Sequence, residues 1–280
     1  MKDSLREALA QIERHFRFSL AVGDAERQKV FALRYQVYCR EFQFEREEDC
    51  PGGLETDAFD DNAVHCLLEH RSSGLVAGCV RMVLPAMDSS CTLDALPLER
   101  HCHQSLSHGS LHPGRLPRQS VCEISRLAVA GFFRRRQGED KSLVGDIDSI
   151  VLSPAAMRTA PVMGLSLFLA ATVMVGMAGR HHVFAMMERR LVRLLSRSGF
   201  GFHRVGEFVD YHGQRAAYYI DQTQVVAGMH QSMRDLYGSI EAQIHPYFVT
   251  LARDAGMGSC LTPRPERDGH ARSSSLHKSA

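Results

Sequence analysis

Helical and strand periodicities take turns along this chain. The opening MKDSLREALAQIERHF is amphipathic at helical period and has no apolar core of the signal-peptide kind. A second helical stretch, DAERQKVFALRYQVYCREF, runs from a cap candidate at Asp24 to about Glu41. Val30, Leu33, Val37 and Tyr38 repeat there at i, i+3, i+7 and i+8. Arg34 falls inside that apolar stripe, where an unpaired guanidinium is costly. Beyond the Gly/Pro/Asp loop PGGLETDAFDDNA, VHCLLEH and GLVAGCVRMVLP read as a hairpin across the turn RSSG. Alternation puts Ala77, Cys79, Arg81 and Val83 on one face of its second strand, so again one arginine interrupts an apolar set.

Residues 86–120 are irregular and rich in His, Ser and Pro. A strand follows at about Val121 to Val129, then a polar insertion over residues 130–160. The run from Gly164 to Gly179, GLSLFLAATVMVGMAG, is a buried helix, short of the ~20 residues that cross a bilayer. HHVFAMME is a strand, RRLVRLLSRSG a helix with a Gly stop, and FHRVGEFVDYHGQRAAYYI a hairpin across YHGQ. A last helix spans about 222–239. This order predicts a mixed α/β sheet with helices on both faces. Three parts are expected: an N-terminal helix over 1–23, a main domain over 24–240, and an extension over 241–280 that is disordered from about Gly258.

Composition narrows the function classes. With 44% hydrophobic and 23% charged residues the chain reads as an ordinary globular protein. A formal net charge of +1 supplies no general attraction to nucleic acid, so electrostatic work must be local. Eight cysteines lack CxxC spacing, and several sit in apolar strands, which suits reduced thiols in a cytoplasmic protein. His101, Cys102, His103, His108 and His112 share one loop without zinc-signature spacing, and no metal is expected. No GxGxxG or GKS/T phosphate loop is present, and Ser125 lacks a G-x-S-x-G elbow.

The chemistry concentrates in VCEISRLAV. Glu123 and Arg126 lie in a strand that is otherwise apolar, where a charge must be paired or put to use. Three residues apart, they point to opposite faces of a regular strand, unless a bulge realigns them. A carboxylate whose pKa is raised by burial can take a proton from a nucleophile.

Four charged motifs, RYQVY (Arg34 to Tyr38), ETDAFD (Glu55 to Asp60), GCVR (Gly78 to Arg81) and EISRLAV (Glu123 to Val129), stand in the order seen in the acyl-homoserine-lactone synthases. Over about residues 25–220 the chain resembles that family. MERRLVRLLSRSGFGFHRVGEFVDYHGQR is more similar still to the acyltransferases associated with PEP-CTERM/exosortase systems.

The resemblance implies a GNAT-like three-layer fold: a central, mixed, mostly antiparallel twisted sheet with helices on both faces. It implies transfer of a fatty acyl group from acyl carrier protein or acyl-CoA to an amine, with no bound cofactor. Carried over by position, Arg34, Tyr38, Phe44, Asp57, Asp60 and Arg81 shape the acceptor side. Glu123 removes the proton and Arg126 positions or pairs charge. Arg134, Arg135 and Arg136 contact the donor where GNAT proteins cradle phosphates, although RRRQGED supplies only Gly138 of the usual glycine loop. The apolar helix would line an acyl tunnel. Phe44 stands where the lactone synthases have Trp, and this chain contains no Trp, which sets it apart in the segment linked to S-adenosylmethionine. A lactone synthase using S-adenosylmethionine, and a non-catalytic module that binds acyl carrier or lipid, are the alternative functions.

Overall fold

A computed structural model describes residues 2–85, 95–134 and 159–254. The amphipathic opening forms α1 (Lys2–His15), which buries Leu9 and Ile12 and runs directly into β1 (Phe16–Leu20). The second helical stretch is α2 (Asp24–Arg34), continued by a π-helical segment over Tyr35–Glu41. Its cap is Gly23 rather than Asp24: Gly23 N–H donates to the Glu26 carboxylate 3.1 Å away, and Asp24 is the first helical residue.

β2 (Ala63–His70) and β3 (Val76–Val83) make the expected hairpin, and β1 pairs antiparallel with β2. β4 (Val121–Val129) pairs antiparallel with β3 and is followed by the short α4 (Gly131–Arg134). α5 (Thr159–Met177) begins five residues earlier than its apolar run suggests, with Pro161 in the first turn, where a missing N–H costs nothing. β5 (His182–Glu188), α6 (Arg189–Arg197), the short β6 (His203–Arg204) and β7 (Val209–Asp210), and β8 (Gln214–Asp221) complete the sheet. Its order is β1-β2-β3-β4-β5-β8-β6, with β7 also on β8.

The architecture is the expected mostly antiparallel mixed sheet between helical layers. On one face α5 lies against β2, β3 and β4, with α8 (Gln231–Asp254) stacked over it and over α1 and β1. Apolarity all round α5 follows from that sandwiched position. The approach is close at Gly78, where an added Cβ would stand 2.8 Å from Leu167 Cδ1. The other face carries α2, the loop over 42–62 and α3 (Pro97–Cys102), so the stretch over 86–120 is not wholly irregular. The expected last helix is two: α7 (Gln222–Gly228), capped by Asp221, and the longer α8. The 130–160 insertion beyond Arg134 and the tail past Asp254 fall largely outside the described residues, as do Arg135 and Arg136. No helix among the described residues is long and apolar enough to cross a membrane.

One joint in the sheet differs from the rest. β4 and β5 are parallel and pair only over Val121–Glu123 and His182–Phe184. Both strands then continue unpaired with each other, β4 to Val129 and β5 to Glu188. The sheet therefore splays open immediately past Glu123.

Candidate active site

The splay becomes a site because β4 is also bulged. Cys79 pairs with Ala128 and Arg81 with Ser125, so Arg126 and Leu127 together face Val80. Arg126 takes φ +50°, a left-handed conformation that costs a non-glycine residue roughly 1 kcal/mol. Tyr38 Oη donates to the Leu127 carbonyl at 2.9 Å and ties the bulge to the π-helical segment. The extra residue turns the Arg126 side chain toward the same face as Glu123 and Arg81, which a regular strand would forbid.

Arg34, Arg81 and Arg126 converge there on the acidic loop. Arg34 is completely buried and donates to Glu55 and, at 2.6 Å, to Asp60. Arg81 Nη1 reaches Asp57 at 2.6 Å and Asp60 at 2.7 Å, while its Nε donates to Ser125 Oγ at 3.1 Å. Arg126 meets Glu55 at 3.0 Å, Glu45 at 3.2 Å and Asp57 at 3.2 Å. The Asp57 N–H donates to Asp60 Oδ2, and the Phe59 N–H to Asp57 Oδ1, so the loop is held by its own acids. Burial alone would raise the carboxyl pKa values. Arg34 and Arg81 outweigh it at Asp60, Arg126 and Arg34 at Glu55, and Arg81 at Asp57, so all three are held below the usual carboxylate range. This is a rigid ionised wall.

Glu123 is of another kind. It is 2% exposed, and its described hydrogen-bond partner is the Leu98 N–H in the first turn of α3, 2.8 Å away. Burial pushes its pKa up to about 8, against the weaker opposing effects of the Leu98 N–H and the Arg81 charge. Cys122, next to it, is fully buried with its thiol raised to about 12 by that burial, which disqualifies it as a nucleophile.

Glu123 lines a cleft in the splay together with Tyr38, Arg81 and Arg126. Arg34, Glu55, Asp57 and Asp60 of the wall do not line it and stand behind these arginines. The cleft's polar end has Glu45, His101, Arg126, Tyr211, His212 and Arg215, and its apolar end Ile124, Leu127, Phe168, Met187 and Leu194. A second, narrow apolar pocket shares Ile124, Phe168 and Ala185 with it and runs on past Ala171, Val175 and Phe200. Phe44 does not line the main cleft. It stacks on Phe42 and His212, with ring centroids 5.3 and 5.0 Å away, beneath the Arg215 guanidinium. α6 borders the cleft through Arg190, Leu191 and Leu194, and exposes Arg189, Arg190, Arg193 and Arg197 to solvent.

Sequence reasoning missed several of these groups. Glu55 opens the ETDAFD motif and its spacing to Asp57 was available. Glu45, His101, Tyr211, His212 and Arg215 come from separate segments with no local signal. Arg134, expected near the donor, closes α4.

Residues 33–143 match the family model described as Acetyltransferase (GNAT) domain. Among solved structures, the chain is similar to the CoA-dependent acyl-homoserine lactone synthase BjaI, solved with SAM and isopentyl-CoA. Identity is 18% and the TM-score 0.52, over 80% of this chain and 89% of that one. It is also similar to the AHL synthase LasI at 15% identity and TM-score 0.53, over 77% of this chain and 97% of that one. No curated protein matches. The chain thus has a GNAT-like fold, with the match to the GNAT model confined to residues 33–143.

Proposed function

We propose that the chain is an N-acyltransferase that moves a fatty acyl group from an acyl-CoA or acyl-carrier-protein thioester to an amine, of the exosortase-associated type. The observation that carries this reading is the placing of Glu123: a buried carboxyl with a raised pKa, in a cleft where the sheet opens between a charged wall and an apolar tunnel.

The acceptor enters as an ammonium and is reactive only after losing a proton. Glu123, once ionised, takes that proton directly or through one water. The amine nitrogen then bonds to the thioester carbonyl carbon. Negative charge collects on the carbonyl oxygen, which the β4 backbone beyond Glu123, free of β5, is positioned to meet with N–H groups. Collapse breaks the carbon–sulfur bond, and the departing thiolate takes the proton that the acylated nitrogen sheds, which leaves a neutral amide and a free thiol. Arg34, Asp57, Asp60 and Arg81 keep the acceptor side rigid, and Tyr38 and Arg126 hold the bulge. Phe44 backs the acceptor end through His212. The acyl chain lies along the α5 side, from Phe168 into the second cavity. The exposed arginines of α6 suit the donor's phosphates or an acidic carrier surface, beside the role expected of Arg134 to Arg136.

Purified protein given long-chain acyl-CoA and a mixture of amines should form amides detectable by mass spectrometry. Glu123→Gln should lower kcat by ~10²–10⁴. Unchanged chemistry in Glu123→Gln would remove the base assignment, and thioester bound without turnover would favour a non-catalytic module. Lactone in the medium of an expressing strain would instead establish a signal synthase.

A further inference from the structure

Two of the described cysteines stand face to face. Cys39 Sγ lies 3.5 Å from Cys50 Sγ, in contact but not bonded. Cys39 belongs to the π-helical segment and is 1% exposed, whereas Cys50 follows the short turn over Glu47–Asp49 and is 6% exposed. Cys66, Cys79 and Cys122, by contrast, lie inside β2, β3 and β4 and are shut off from solvent. A disulfide holds its sulfurs ~2.05 Å apart, so the pair has only ~1.5 Å left to close. Side-chain rotation and a small shift of the loop cover that distance.

The cover over Cys50 is thin. Glu47, Glu48, Asp49, Pro51 and Gly52 around it are exposed. The turns that hold it close through local bonds: Asp49 N–H to the Arg46 carbonyl, Cys50 N–H to that of Glu47, and Gly53 N–H to that of Cys50, at 3.1–3.2 Å. Such turns open without disturbing a sheet. Between the two cysteines, the Phe44 and Glu45 N–H groups reach the Tyr38 carbonyl, and Gln43 takes φ +53°. The Arg40–Glu47 ion pair adds little, because both side chains are more than half exposed. Yet this weakly held span includes Glu45, which lines the cleft and pairs with Arg126.

We propose that Cys39 and Cys50 are a redox modification site, forming a reversible disulfide by exchange with a small-molecule disulfide such as oxidised glutathione. The bond is a latch that fastens the loop over 42–50 to the π-helical segment and so fixes the polar end of the cleft. Cys50, on the loop, reacts first. Its thiol loses a proton, its sulfur bonds to one sulfur of the external disulfide, and the other leaves as a thiolate that is protonated. Cys39 then gives up its proton and bonds to Cys50 Sγ, and the second external thiolate departs and takes a proton. Two protein thiols are oxidised and one external disulfide is reduced to two thiols. Burial and the adjacent Cys50 raise the Cys39 pKa, which suits the resolving position. The proposal stands apart from the acyltransferase reading.

The test uses the full chain, fully reduced and then equilibrated with graded mixtures of reduced and oxidised glutathione. After quenching with N-ethylmaleimide under denaturing conditions, peptide mass mapping should show residues 39 and 50 joined, two hydrogens lighter than the dithiol, before any other cysteine is oxidised. Dithiothreitol should reverse the change. In the oxidised form, amide hydrogen exchange over 41–50 should slow by ~10-fold or more, since the bond removes open states of a short loop. Cys39→Ser should stop at one glutathione held on Cys50, and Cys50→Ser should take up none at Cys39; thermal melting shows that both variants fold. A pair that stays fully alkylated at every glutathione ratio overturns the proposal. So does earlier oxidation of another cysteine in the folded chain, or a bond that forms without slowing exchange in the loop. Glutathione held on Cys39 in Cys50→Ser would overturn the order of attack.

Discussion

Asp60 and Glu123 show opposite answers to the burial of a carboxyl group. Asp60 receives hydrogen bonds from two buried guanidiniums, and losing its charge would leave Arg34 with Glu55 and Arg81 with Asp57 as their remaining carboxylates. Asp60→Asn should therefore cost ~3–5 kcal/mol, read as a lower urea midpoint with little change in slope. Glu123 has only a backbone donor among its described hydrogen bonds, so burial wins and the fold favours its protonated form. The stability it contributes is whole below the unfolded value near 4.5 and is lost as pH rises through about 8. Glu123→Gln should thus melt higher than wild type at pH 9, by an amount of order 3 kcal/mol, and match it near pH 5. The same titration governs activity with the reverse sign: kcat/KM should climb with pH to a plateau above about 8, and the variant should lack that limb. A wild-type profile flat from pH 6 to 9 would remove Glu123 from the proton path.

At the scale of the element, the bulge in β4 and the shape of α5 matter most. The bulge is held from outside, by Tyr38 Oη on the Leu127 carbonyl and by the carboxylates around Arg126. α5 contributes Phe168 to both cavities and Ala171 and Val175 to the inner one, so small residues keep that cavity open. Each acyl methylene buried there is worth ~0.8 kcal/mol. Ala171→Phe should fill the inner cavity and shift preference to shorter donors. For a chain shortened by four methylenes, the ratio of kcat/KM values against the full-length donor should rise ~10²-fold, as read in a ladder of acyl-CoA lengths.

Across the whole molecule, acids held low by arginines and one acid held high by burial bound stability on both sides. Glu55, Asp57 and Asp60 contribute above their ordinary unfolded values near 4 and lose that contribution as pH falls through their depressed folded values. With Glu123 eroding stability at the alkaline side, the melting temperature should peak at mildly acidic pH, ~5–6, rather than near the pI of about 7.7. The donor side acts through long-range charge. Arg193→Glu on α6 should raise the donor KM three- to tenfold at low ionic strength and much less at 0.5 M salt, since exposed charges are screened.

How much of this was legible depends on the range of the interactions involved. Residues 121–129 read as a strand, 64–85 as a hairpin and 181–199 as strand then helix, because alternation and helical period are local consequences of backbone geometry. An arginine in an apolar stripe at Arg34, another at Arg81 and a glutamate at Glu123 likewise announced burial, since each would be costly unless satisfied. Which acids satisfy them was decided only by folding. Glu45, Glu55, Asp57 and Asp60 sit on loops with no period. Leu98 caps Glu123 from a helix 25 positions upstream, and Arg215 enters the cleft from a strand 92 positions downstream. The splay of β4 from β5, which creates the cleft, is a relation between two strands far apart in the chain and leaves no trace in any single segment. Periodicity and the cost of buried charge operate within a few residues and are written in the chain. Pairing, the departure of Glu123's pKa from that of its neighbours, and the cleft depend on which distant surfaces meet, and only the tertiary structure decides that.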